Sequence, residues 1–396
     1  MDLLITTDYE NLKDLFEDDK YPLVICDIDA FNHNLEKVGN YLRKVKKSLR
    51  LCTKSVRVPE LIKKVEEQDF VNGLFTYNAA ETLFFAKEYQ IKDILLGYPT
   101  TSVYDAEELC KAASIEGVEI SVMVDSSYHL DLLERAANKY NVNLSILIEV
   151  DVADSFLGTN VGVYRSPLRK PEDVVRIAKE IESRIHLRYR GIMGYEAQNA
   201  SIGDTSIFMR WIKKRSRKHV NQWRQDVVDA LIKDGFEPEV VNGGGSGCFE
   251  ETSHEASVTE IGIGSLLFKS HIFDVIDSLE GFIPSLFFVL QIVRKPKKNI
   301  ATAFSGGYVS SGGVRVHPIP INPEGLKTFK NEEFGEVQTP FRFNPKIIEL
   351  NLGDPILCRF GKAGEPLEHF NEVNIYSDGK IIDKVLTYRG LGYRFS

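Results

Sequence analysis

The sequence predicts an α/β fold: a (β/α)8 TIM barrel over residues 20–275, then a mostly-β domain over residues 276–396. Three observations lead there. At 396 residues the chain exceeds the size at which a single core usually divides. From residue 20 to about 275, short apolar runs alternate with longer helical patterns, and eight such beats are the content of a closed parallel barrel. After about residue 276 the helical period fades into short, β-prone segments punctuated by Gly and Pro.

Residues 1–19, acidic and mixed in character, read as an N-terminal extension and not as a secretory signal. The apolar runs follow: "LVICDID" (23–29), "LRLCTKS" (49–55), "GLFTYN" (73–78), "DILLGY" (93–98), "EISVMVD" (119–125), "LSILIEV" (144–150), "LRYRGIMGY" (187–195) and "PEVVNGG" (238–244). Between them lie patterns such as "FNHNLEKVGNYLRKVKK", "AAETLFFAKEYQ", "YHLDLLERAANKY" and "PEDVVRIAKEI", whose apolar residues recur at i, i+3 and i+4. A ninth run, "VTEIGIG" (258–264), leaves the strand register open, and a doubly wound open sheet is the alternative architecture. In the last segment, "SDGK" between "NEVNIY" and "IIDKVL" carries the Asp-Gly signal of a hairpin.

The composition, 43% apolar and 27% charged, is that of a globular chain with a sizeable core. A net charge of −8 argues against nucleic acid as a partner. The basic run "KKRSRKH" (213–219) reads as a solvated helix face. Five scattered cysteines form neither a zinc pattern nor a disulfide framework, which fits the cytoplasm. The longest apolar run, residues 282–293, is too short to cross a bilayer.

Barrel active sites form at the C-terminal ends of the strands. Lys54 falls at such an end, as do Tyr77, Asn78, Tyr195, Glu196, Gln198 and the glycines from Gly243. A surface lysine is the plain alternative for Lys54. An amine desolvated among strand ends has a lowered pKa and can attack a carbonyl to form a Schiff base. The second element is "NGGGSG" (242–247), directly after an apolar run. Its glycines allow close backbone approach to a phosphate, although a plain tight loop has the same look. The spacing matches neither a Walker loop nor a dinucleotide fingerprint. "GIGS" (262–265) offers further donors. A Schiff-base lysine and a phosphate cradle together imply a carbonyl cofactor bearing a phosphate, and pyridoxal 5'-phosphate meets that description.

"CDIDAFNHNLEKV", "RLCTKSVRVPEL", "GIMGYEAQNA", "VNGGGSG" and "VTEIGIGSLLF", in that order, resemble the fold-type III pyridoxal-phosphate enzymes, within the alanine-racemase-like branch that includes D-threonine aldolase and D-serine dehydratase. The resemblance implies that Lys54 carries the cofactor as a Schiff base and acts as general base. It implies that Gly243, Gly244, Gly245 and Ser246 hold the phosphate, helped by Gly264 and Ser265, with Tyr195 and Gln198 at the cofactor and Tyr195 also a candidate catalytic group. Asn78 and Glu196 become candidate substrate contacts, with helix capping an equal alternative for Asn78 and Glu81. Asp27 and Asp29 are placed beside the barrel mouth, where caps are the alternative. Relatives carry a metal pair late in the β domain. The comparable positions here hold Phe360 and Lys362, neither of which ligates a divalent ion, so no metal is expected. Arg359, Lys362 and Glu365 are then candidates for a substrate carboxylate, with Lys362 also a candidate catalytic group, and a charged hairpin surface is the alternative. Tyr308 is a candidate for an active-site role. The implied reaction is that of a lyase or racemase working through a Cα carbanion of a small D-amino acid, in a homodimer whose β domains complete the sites. A cofactor carrier without turnover and a cofactor-free Schiff-base aldolase are the alternatives.

Overall fold

The computed structural model describes residues 3–16, 19–156, 159–200, 202–311 and 316–395. Eight parallel strands close into a barrel in chain order: Ser48–Cys52, Val71–Thr76, Asp93–Leu96, Glu119–Val124, Leu144–Glu149, Leu187–Met193, Val240–Gly243 and Glu260–Ile263. The last pairs with the first, Ile263 opposite Leu51. Helices such as Pro171–Glu182 bury Val174, Ile177, Ala178 and Ile181 against the barrel and expose charged residues, as their period requires.

One expectation is corrected. The run at 23–29 is not a barrel strand. Leu23–Asp27 lies in the sheet of the β domain, antiparallel to Leu286–Lys297 and parallel to Glu372–Ser377. The ninth run supplies the eighth barrel strand instead. Both runs are buried on both faces, and a strand buried on both faces carries no alternation to say which sheet holds it. Asp27 and Asp29 leave the mouth with it. Asp27 accepts from the Leu4 and Ala30 amides at 2.8 and 2.9 Å, capping the helix Ile28–Val45, and Asp29 accepts from the Ser377 hydroxyl at 2.9 Å. Leu4, Leu12 and Phe16 of the N-terminal extension pack with Leu23, Ile25, Phe287 and Val289 behind that sheet.

The barrel interior is filled in two layers. A buried ion network plugs the N-terminal end: Arg50 donates to Glu260 at 2.6 Å and Asp93 at 2.7 Å, and Arg190 donates to Asp93 and Ser121. Above it lie Phe75, Leu95, Met123, Leu147, Met193 and Val240. This solid base leaves the C-terminal mouth as the place for a cavity. The β domain reaches the mouth at Gly361–Gly364. Gly364 has φ of 90°, and a Cβ there would collide with the Lys54 carbonyl oxygen.

The basic run is a solvated face only in part: Lys214, Arg215 and Lys218 are exposed, while other members are engaged within the fold. Within the helix Ile207–Lys233, Lys213 is buried against Asp204 at 2.8 Å, Arg215 pairs with Asp154 at 3.0 Å and Arg217 pairs with Glu251. Among the described residues no helix is long and apolar enough to cross a membrane.

Candidate active site

The first barrel strand ends at Cys52, and a single tight turn, Thr53–Ser55, swings Lys54 into the mouth. Its amine enters a chamber of about 170 Å³ lined by Cys52, Phe75, Tyr98, Tyr195, Gly245 and Lys362, among others. The chamber adjoins a wider groove of about 1050 Å³, and Lys362 lines both. Lys54 Nζ donates to the Tyr98 hydroxyl at 2.5 Å. Burial alone pulls the amine down, but Tyr98, then Cys52 and Tyr195, outweigh it, and the pKa ends above the ordinary lysine value. This corrects the expectation of a lowered pKa, because the phenol that holds the charge lies 44 residues away. Lys362 shows the lowered value instead, from burial and from the charge of Lys54, with Glu365 opposing.

Three loops are stitched together around the chamber. Ser265 donates to Ser55 at 2.9 Å, and the Leu266 amide donates to Ser246 at 3.1 Å. Gly244, Gly245, Ser246, Gly262, Gly264 and Ser265 all face the cavity. A Cβ at Gly262 would meet nothing nearer than Cys52 Sγ at 3.5 Å, so this glycine leaves floor that a side chain would fill. A Cβ at Gly264 would lie 2.5 Å from the Cys52 carbonyl. Gly244 gives its amide to the Glu196 carboxylate at 3.1 Å, so that amide is turned away from the chamber. Gly243 is absent from the wall. It makes room for Arg224, whose Nη2 would lie 2.8 Å from a Cβ there. An amine beside two Gly/Ser loops fits an aldehyde cofactor that ends in a phosphate.

A sequence profile of the alanine racemase N-terminal domain matches residues 26–271. The chain belongs to this family. Its members are fold-type III pyridoxal-phosphate enzymes, as the sequence resemblance implied. The chain is 25% identical over 294 residues to 3-hydroxy-D-aspartate aldolase of Paracoccus denitrificans (strain Pd 1222), covering 72% of this chain and 71% of that protein. It shares its fold with D-threonine aldolase from Filomicrobium marinum at a TM-score of 0.84 and 18% identity, over 96% and 97% of the two chains. It also shares it with D-threo-3-hydroxyaspartate dehydratase from Delftia sp. HT23, at 0.73 and 14%, over 98% and 99%.

Against this family frame, several predicted contacts lie elsewhere. Glu196 is fully buried behind the glycine loop, bonded to Arg224 at 3.0 Å and Thr252 at 2.5 Å, and does not meet the chamber. Gln198 donates to the Val152 carbonyl at 3.1 Å and lines the adjoining groove. Asn78 caps the helix Ala79–Glu88, accepting from Ala80 at 2.8 Å. Arg359 is engaged by Asp274 at 2.9 and 3.0 Å. Glu365 accepts from Ser311, amide and hydroxyl, at 2.8 Å each. Tyr308 is buried in the β domain, bonded to Ser305 at 2.9 Å and packed on Phe288, Phe360 and Phe370. Sequence reasoning missed Tyr98 and Arg165. Arg165 lines the chamber and lays its guanidinium over the Tyr195 ring, 4.9 Å from the centroid.

Behind the Lys54 turn, Glu81 is fully buried and accepts from the Tyr77 amide at 2.9 Å and the Tyr388 hydroxyl at 2.5 Å. Burial raises its pKa from 4.5 to about 7 despite those bonds. The fold therefore retains a proton that the unfolded chain releases. The stability from that proton is complete below about pH 4.5 and lost as pH rises through about 7. Glu81→Gln is expected to gain about 3 kcal/mol relative to the parent between pH 4.5 and 8. Urea melts of both proteins across that range measure it, and parallel pH curves would refute it.

Proposed function

We propose that this chain is a pyridoxal-phosphate-dependent lyase or racemase acting on a small D-amino acid at the Lys54 chamber. The observation that carries the reading is that one amine, Lys54, opens on the same small chamber as two Gly/Ser loops. When bound, pyridoxal phosphate supplies an electron sink for charge developing at the amino acid's Cα. The loops at Gly245–Ser246 and Gly264–Ser265 hold the phosphate. Lys54 is the anchoring amine and then the base that takes the Cα proton. Tyr98 fixes the direction and protonation of that amine through its 2.5 Å bond. Tyr195 packs beside the phosphate loop, 3.2 Å from where a Gly245 Cβ would stand. Lys362, the second amine on the wall, binds the substrate's α-carboxylate and so aims the Cα–H bond at Lys54.

The names of the relatives, aldolases and a dehydratase of D-3-hydroxy amino acids, favour bond breaking at Cβ, by elimination or retro-aldol cleavage. Racemisation is the second reading. A second amine beside Lys54 favours it, since Lys362 is able to return a proton. Metal independence is part of the proposal. Phe360 stacks among Phe288, Tyr308 and Phe370 and offers no donor, and Lys362 is cationic. A homodimer is supported by Tyr164, Ile207, Phe208 and Trp211, large apolar residues that follow C-terminal strand ends and stay exposed.

Reconstitution with pyridoxal phosphate, followed by a screen of D- and L-amino acids with and without EDTA, tests this. A visible cofactor band is expected, with keto acid or aldehyde released from D-substrates irrespective of the chelator. A band without any product would leave a cofactor carrier. Turnover of a carbonyl substrate by colourless protein would leave a cofactor-free aldolase.

A further inference from the structure

The floor of the chamber holds a polar atom that the protein leaves without a partner. Asn242 lies on the seventh barrel strand, Val240–Gly243, is 3% exposed, and lines the chamber together with Lys54 and the glycine loops. Its Nδ2 donates to Glu260 Oε1 at 2.9 Å, and that carboxylate also accepts from Arg50 Nε at 2.6 Å. The ion pair fixes which way the amide faces. Turned over, Asn242 would set its carbonyl oxygen against a carboxylate, acceptor against acceptor. Oδ1 therefore faces away from Glu260. A Cβ added to Gly262 would stand 3.7 Å from it, on the floor that this glycine keeps clear. Among the described residues no donor reaches Oδ1.

A buried acceptor without a donor is destabilising, so the chamber carries this one for a ligand. Donation from Nδ2 to a carboxylate also makes the oxygen a better acceptor, because linked hydrogen bonds polarise one another. The floor thus asks for an N–H or an O–H. Of the groups on pyridoxal phosphate, the aldehyde belongs to Lys54 and the phosphate to the Gly/Ser loops. Two others are able to donate: the ring hydroxyl, and the ring nitrogen when it carries a proton. The hydroxyl is ortho to the aldehyde and stays beside the Lys54 amine. The nitrogen is para to the aldehyde, at the opposite edge of the ring.

We infer that Asn242 is the partner of the cofactor's ring nitrogen, and that it accepts a hydrogen bond from the protonated form. This assignment rests on the cofactor chemistry proposed for the chamber. An acceptor has a definite consequence there. The bond exists only while the nitrogen holds its proton, so the chain favours the cationic ring, which is the stronger electron sink. Arg50 and Glu260, members of the ion network that plugs the barrel, become positioning residues that hold the amide in this orientation.

The test is binding to the cofactor-free chain. Affinity is measured for pyridoxal phosphate, for its analogue with C–H in place of the ring nitrogen, and for its analogue without the ring hydroxyl. A hydrogen bond to a charged group is worth about 10- to 100-fold in affinity. The parent is expected to prefer pyridoxal phosphate over the ring-carbon analogue by about that factor, and Asn242→Leu is expected to lose the preference. Asn242→Asp combined with Glu260→Gln reverses donor and acceptor between the two residues and returns an acceptor to the chamber. The preference should then return, which repair of a packing defect would not produce. The nitrogen NMR resonance of ring-labelled cofactor should stand at the protonated position in the parent and move to the neutral one in Asn242→Leu. Equal affinity of the parent for pyridoxal phosphate and the ring-carbon analogue would overturn the assignment and leave the functional reading intact. If Asn242→Leu lost instead the preference over the hydroxyl-free analogue, Asn242 would belong to the hydroxyl and the assignment would fail. A parent that takes up none of the three ligands overturns the functional reading, and the assignment falls with it.

Discussion

Lys54→Ala is expected to lower turnover by about 10⁴-fold or more, because one substitution removes both the anchoring amine and the base. The fold should survive. Among the described residues the side chain of Lys54 hydrogen-bonds to Tyr98 alone, and the turn that carries it is held by its neighbours, Ser55 with Ser265 and Arg57 with Glu368. The variant's thermal melt should match the parent's while its visible band disappears. Added methylamine should restore part of the activity, since a free amine of similar size can enter the vacated space. A variant that keeps the band and most of the activity would show that the chemistry belongs to another amine. Lys362, sharing the wall and carrying the lowered pKa, is then the first to consider.

Arg224→Leu is expected to be the most destabilising single change near the site. Arg224 is fully buried between Glu196 and Glu255 and also donates to the Gly194 carbonyl at 3.0 Å. Removing it leaves two carboxylates buried without a cation, at a cost of about 3–5 kcal/mol. Glu196 in turn holds the Gly244 amide and the Thr252 hydroxyl, so the damage passes directly into the glycine loop. The melting temperature should fall by about 10 °C, and the affinity for pyridoxal phosphate should fall with it. Replacing Glu196, Arg224 and Glu255 together with uncharged residues should cost less than Arg224→Leu alone, since none of the three buried charges then remains. Unchanged stability and cofactor affinity in Arg224→Leu would mean that the loop holds its shape without this network.

These outcomes trace what was legible in the sequence. The barrel was legible because all eight of its strands fall on apolar runs, most of them spaced by amphipathic helices. Lys54 stood out because a strand-end lysine has a defined meaning on that fold, and the glycine loop because three consecutive glycines follow a buried strand. The membership of Leu23–Asp27 was not legible. Its partners lie at residues 286–289 and 374–376, and an all-buried strand has no alternation to reveal its sheet. The side chains after the sixth barrel strand were not legible either. The short helix Ala197–Ala200 turns Glu196 inward to Arg224 and sends Gln198 to the neighbouring groove, a rotation that a strand-end motif does not encode. The protonation of Lys54 depended on a phenol from the segment after the third barrel strand, and the second cation of the chamber came from a loop after the fifth. Both are contacts of tertiary structure, which no local pattern records.

The most direct test is borohydride reduction of the pyridoxal-phosphate-loaded protein, followed by proteolysis and mass mapping of the modified peptide. The account predicts a single reduced adduct on Lys54, absent from Lys54→Ala. An adduct on Lys362 or any other lysine, or no adduct in protein that has taken up the cofactor, would contradict it.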